Sequence, residues 1–122
     1  LSALRRRGIP FGVVSSSWRW YVERCLRELD MYEDAAVIVT GSDGLPLKPA
    51  PAPYQAAARV FRPAPPGAVL AVEDSGSGVR SAVAAGLACA AVYNPDSGAQ
   101  DLSPARWRLN SLYELPALLD GN

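Results

Sequence analysis

The stretch AVLAVEDSGSGVRSAVAAGLACAAVY, residues 68–93, carries most of the information about fold class. Ala68 to Val72 is apolar at every position, and a short run with no polar face is the pattern of a strand covered on both sides. Glu73 and Asp74 close it, and Ser75 to Gly78 reads as a tight glycine turn. Val79, Ala82, Val83 and Gly86 then share one helix face, whose small residues permit close approach to a sheet. Leu87 to Tyr93 is another apolar strand. Two buried strands joined by a helix predict parallel pairing.

The flanking sequence repeats this alternation. Ile9 to Val14, bounded by Gly8 and a serine run, and Ala35 to Thr40, closed by Gly41 to Gly44, are short β-rich apolar strands. Between them Trp18, Val22, Cys25, Leu26 and Leu29 lay an apolar stripe along a helix, with Ser17 as its expected N-cap. Lys48 to Pro53 carries three prolines and must stay extended or turning until a helix begins near Pro53 and runs to about Phe61. Pro63, Pro65, Pro66 and Gly67 stop that helix. After the fourth strand come a loop with Pro95, Gly98 and Pro104 and a terminal helix from about Ser111 to Leu119. Strands alternating with helices predict an α/β fold, a doubly wound parallel sheet, in one domain over residues 1–122.

Composition narrows function. The 122 residues are 49% hydrophobic and 20% charged, which is globular rather than disordered. Twelve basic and twelve acidic residues cancel, leaving no field to draw the chain onto nucleic acid or an anionic membrane. No apolar run approaches the roughly 18 residues of a membrane span, and Leu1 to Arg7 lacks a signal-peptide core, so a soluble, cytoplasmic protein is expected. Arg5, Arg6 and Arg7 read as a solvated helix end, and Trp18, Trp20 and Trp107 as packing. The only cysteines, Cys25 and Cys89, read as buried thiols. With no histidine they complete no zinc site, and Ser-His and Cys-His nucleophiles are excluded.

Carboxylates, hydroxyls and amines remain. Ligands of an open parallel sheet bind at the carboxyl ends of its strands. The predicted strand ends lead to Ser15, Ser16 and Ser17, to Lys48, and to Glu73, Asp74 and Ser75. Lys48 is the only lysine among the twelve basic residues. A hydroxyl, an ammonium and paired carboxylates on one rim suit a phosphate group and Mg²⁺, because carboxylate oxygens bind the metal and cations hold phosphate oxygens. Gly76 and Gly78 do not make a dinucleotide loop, since Ser81 stands where the third glycine belongs and acids occupy the pyrophosphate's approach. A phospho-accepting receiver domain is disfavoured by order, with serine first and acids last.

Taken together these residues resemble the haloacid dehalogenase superfamily, in its phosphatase and β-phosphoglucomutase-like branch. Gly12 to Ser17 resembles the second motif, a strand ending in a phosphate-binding serine or threonine. Thr40 and Gly41 followed by Lys48-Pro-Ala-Pro-Ala-Pro-Tyr54 resemble the "TG…KPxPxxY" stretch of the third, with Ala52 where the branch often has aspartate. Val72 to Val79, with Ala84, Ala85 and Gly86, resembles the fourth. The resemblance covers about Leu4 to Tyr93 and implies Mg²⁺-dependent phosphoryl transfer from a small phosphorylated metabolite by way of an aspartyl phosphate, whether as phosphatase or mutase. It implies that Ser15 donates its hydroxyl and Ser16 its backbone N–H to phosphoryl oxygens, that Lys48 neutralises phosphate and nucleophile charge, and that Asp74, assisted by Glu73, holds Mg²⁺.

The first motif of that family, Asp-x-Asp, is missing. No two of Asp30, Asp34, Asp43, Asp74, Asp96, Asp101 and Asp120 lie two residues apart. The motif's strand lies in the family between the strands that here end in Ser15 and Asp74, so two strand edges are expected to face an open gap. The expectation is the carboxyl-terminal part of a larger phosphohydrolase, without its first strand and cap and inactive alone. A complementing chain, a different strand order or a domain-swapped dimer would close the gap. The alternative is a family member that binds but performs no chemistry.

Overall fold

The structure, a computed structural model, describes residues 1–121. Every strand pair in it is parallel. β3 (Leu70–Glu73) pairs with β4 (Ala88–Val92), and β4 with β5 (Trp107–Leu109). β1 (Val13–Val14) pairs with β2 (Ile38–Val39), so among the described residues the strands form two sheets, of two and three strands. β1 and β3 share no ladder, and the expected gap falls between them.

The three-stranded half is built on small residues. β4 runs Ala-Cys-Ala-Ala-Val, and α4 (Gly76–Ala84) packs on it with Val79 and Ala82 wholly buried. Tyr54 of α3 (Ala52–Arg59), Ala71, Leu87, Cys89, Ala91 and Ala105 complete the core. Cys89 is buried as expected, and Cys25 is half-buried. α3 also packs on β1 and β2, so it spans both sheets.

Several expectations are corrected. Ser75 to Gly78 is no turn: Ser75 is the N-cap of α4, its Oγ accepting from Gly78 N–H at 3.1 Å. The glycines serve close approach, since a Cβ on Gly78 would collide with the Glu73 carboxylate and one on Gly76 would lie 3.0 Å from Asp101 O. Ser17 does not cap α2 (Arg19–Glu28); Trp18 holds the cap position, and Arg19 N–H bonds Ser42 Oγ at 2.9 Å. Of the α2 stripe only Val22 and Leu26 are buried, because the helix rests on the narrow Gly41–Asp43 turn and leaves Trp18 and Leu29 exposed.

Val72, expected to be covered on both sides, is 37% exposed because it lines the cleft between the sheets. Val83 is exposed too. β5 was not expected, its three residues being split by Arg108. The terminal segment is a single 3₁₀ turn, Leu112–Glu114, capped by Ser111, followed by α5 (Leu115–Leu119). In α1 (Ser2–Arg7), Arg5 is not simply solvated but pairs with Asp34, and Arg7 pairs with Asp120 at 2.6 Å. Among the described residues no helix is long and apolar enough to cross a membrane.

Candidate active site

The β1 end is held by its neighbour. Ser15 N–H continues the ladder to Val39 O at 2.9 Å, and Ser17 N–H then turns back onto Ser15 Oγ at 3.1 Å. Gly41 N–H bonds Ser17 O at 2.8 Å, and Gly41 must lack a side chain because a Cβ would strike Ser16 O. Buried Thr40 anchors this turn through a reciprocal cap with Asp43. The Thr40 N–H, seconded by the Arg19 guanidinium, holds the Asp43 carboxyl below the usual carboxylate range.

Lys48 crosses the gap. Its Nζ donates to Val14 O at 3.0 Å on one sheet and to Glu73 Oε1 at 2.5 Å on the other. Both side chains are nearly buried, at 10% and 7% exposure, which separates this ion pair from the solvent-screened pairs on α2. Tyr54 donates its hydroxyl to the same Glu73 oxygen at 2.5 Å. Burial first, and then the Glu73 charge, push the Tyr54 phenol far above its ordinary range. The loop that delivers Lys48 is tied to α4 by buried Ser81, whose hydroxyl donates to Ala50 O at 2.6 Å.

Asp74 follows β3 on the same rim. Its Oδ2 accepts from Asn94 Nδ2 at 2.9 Å and from Ser97 Oγ at 3.1 Å, and among the described residues no hydrogen bond engages Oδ1. Ser15, Ser16, Lys48, Glu73 and Asp74 thus all line one cleft of about 860 Å³ between the sheets, which Tyr93 and Tyr113 also line. Trp18, Trp20 and Trp107 stay outside it. Sequence reasoning assigned no role to Tyr54, Asn94 or Ser97. Asn94 lies just past the predicted fourth strand, where the strand-end rule would have found it. Tyr54 closes the stretch that resembles KPxPxxY, but nothing in that resemblance or in its apolar helix face marked its hydroxyl as a partner of Glu73.

Hydroxyl, backbone N–H and ammonium on one side, and carboxylates on the other, can bind an oxyanion together with a hard cation. Carboxylate oxygens suit Mg²⁺ in kind. Among the described residues, however, no group of three acidic or thiol side chains is close enough to hold a metal by itself.

A model of the haloacid dehalogenase-like hydrolases matches residues 1–86. YhcW of Bacillus subtilis (strain 168), provisionally named a phosphatase, is 34% identical over 122 residues, covering 98% of this chain and 55% of its own. The validoxylamine A 7′-phosphate phosphatase of Streptomyces hygroscopicus subsp. limoneus is 30% identical over 116 residues, covering 88% of this chain and 54% of its own. Among solved structures, CbbY of Rhodobacter sphaeroides in complex with phosphate superposes with a TM-score of 0.85 at 30% identity, over 93% of this chain and 52% of CbbY. A CbbY mutant has also been solved in complex with xylulose-(1,5)-bisphosphate. The chain spans about half the length of the curated relatives it matches.

Proposed function

The chain belongs to the haloacid dehalogenase-like hydrolase family, and we propose that its cleft is the phosphate-binding half of a site for Mg²⁺-dependent phosphoryl transfer from a small phosphate monoester. The observation that supports this reading is the Lys48 ammonium, nearly buried, bridging Val14 O and Glu73 Oε1 between the ends of two parallel sheets. A cation kept in so dry a place, beside the serine loop that follows β1, is suited to a multiply charged anion.

In this reading Ser15 donates its hydroxyl and Ser16 its backbone N–H to phosphoryl oxygens. Lys48 releases its hold on Val14 O to neutralise the phosphate and the nucleophile. Asp74, oriented by Asn94 and Ser97 and assisted by Glu73, would hold Mg²⁺, which when bound supplies charge stabilisation of the transferring group. The nucleophilic aspartate and the remaining metal carboxylates belong, in the same proposal, to a strand seated between β1 and β3. That strand would pair both open edges and bring its carboxyl end to Lys48. Relatives named for validoxylamine A 7′-phosphate, or solved with xylulose-(1,5)-bisphosphate, support a phosphorylated small molecule as substrate.

A second reading, a binding module without chemistry, is favoured by one observation: Glu73 is already committed to Lys48 and Tyr54. A phosphatase assay with a generic phosphate ester and Mg²⁺ separates the two. The 122-residue chain is expected to be silent, and a longer form carrying an upstream Asp-x-Asp strand to be active. Silence of both, with phosphate still bound, would favour the binding module.

A further inference from the structure

The buried hydroxyl of Tyr54 has no part in the roles above. Tyr54 lies in the first turn of α3, 6% exposed, within the main core. A phenylalanine would fill that space without having to bury a polar group. The hydroxyl instead meets Glu73 Oε1 at 2.5 Å, the oxygen that also accepts from Lys48 Nζ, and Nζ lies 5.3 Å from the Tyr54 ring centroid. Ring, hydroxyl and ammonium therefore converge on one carboxylate.

The order of dependence can be read from the contacts. Lysine is a point charge on a flexible stem, so its head rests where partners fix it. Those partners are Val14 O, which is backbone, and Glu73. The Glu73 carboxylate is confined on one side by Gly78, where no Cβ would fit, and is bonded on the other by the Tyr54 hydroxyl. Tyr54 itself is fixed by the core, packed among Ala71, Val79 and Cys89. The phenol thus connects the core to the carboxylate that holds the ammonium.

We propose that Tyr54 is a positioning residue for Lys48: its hydroxyl sets the Glu73 carboxylate and its ring supports the ammonium, holding Nζ in the gap between the sheets. The inference rests on the reading of Lys48 as the phosphate-facing cation. Lys48 is the only lysine, so among side-chain amines acylation by an amine-reactive ester at one fixed pH, read by mass spectrometry, reports on it alone, with the α-amine as internal reference. In Tyr54→Phe, which keeps the ring and loses the hydroxyl, the reactivity of Lys48 relative to the α-amine is expected to change about tenfold, the scale of one charge-assisted hydrogen bond on Glu73 Oε1. Val79→Ala, which loosens the same core without touching Glu73, should leave the ratio unchanged. Thermal unfolding establishes that each variant is folded. An unchanged ratio in Tyr54→Phe, or an equal change in Val79→Ala, would overturn the positioning role. Inorganic phosphate should slow acylation in the native chain. If it does not, the phosphate-facing reading of Lys48 fails, whereas protection without any Tyr54→Phe effect removes only Tyr54.

Discussion

The halves of this molecule on either side of the cleft are built to different standards. In the three-stranded half, Val79, Ala82, Ala90 and Ala91 are wholly buried, and glycines let α4 close on Glu73 and Asp101. In the two-stranded half, α2 buries one row and leaves Trp18, Trp20, Tyr21 and Leu29 exposed. What joins them is α3, packed on both, and the Lys48 side chain. The polar groups that suit phosphate are concentrated at this seam, where backbone pairing stops and side chains must complete the structure. A buried charge at such a place is costly unless paired, which makes the site dependent on its partners.

The largest expected effects fall on the seam. In a longer active form, Lys48→Ala and Asp74→Asn should each lower kcat/KM by about 10²-fold or more, the scale on which a preorganised charge acts, with the fold retained by circular dichroism. Next comes the strong half: Val79→Ala should cost about 2–3 kcal/mol in urea unfolding, from lost burial plus a cavity. Trp18→Ala, at 68% exposure, should stay within about 0.5 kcal/mol. Equal losses would erase the distinction between the halves.

Gly78→Ala should destabilise by about 1–2 kcal/mol, since the new methyl must displace the Glu73 carboxylate. It should also speed Lys48 acylation, whereas Gly41→Ala should weaken phosphate binding by moving Ser16. The smallest effect is alkaline. Burial, and then the Glu73 charge, push the Cys89 thiol from 9.0 to about 11, so the unfolded chain loses this proton first. Stability should therefore decline as pH rises from 9 toward 11, and Cys89→Ala should flatten that decline in pH-dependent melting.

The parts legible in the sequence were those with one physical cause. Apolar runs such as Ala88 to Val92 are strands because burial on both faces leaves no other composition, and the residues that end them fall on the rim by topology alone. Ser15, Ser16, Lys48, Glu73 and Asp74 were found that way, and all line the cleft. Where two causes leave the same mark, reading stops. Gly76 and Gly78 announce either a turn or close packing, and only the position of Glu73 separates them. Tyr54 is both a core aromatic and a hydrogen-bond donor, and periodicity reports only the first. β5 holds three residues around an exposed arginine, too few for alternation to register.

The site proposed at the seam is one for phosphate. It is tested most directly by titrating inorganic phosphate with Mg²⁺ into the isotopically labelled chain and following backbone and Lys48 side-chain resonances. Saturable shifts at Ser15, Ser16, Lys48 and Asp74, lost in Lys48→Ala, are the expected result. Shifts confined to the separate groove beside Arg106 and Trp107, or none at all, would contradict it.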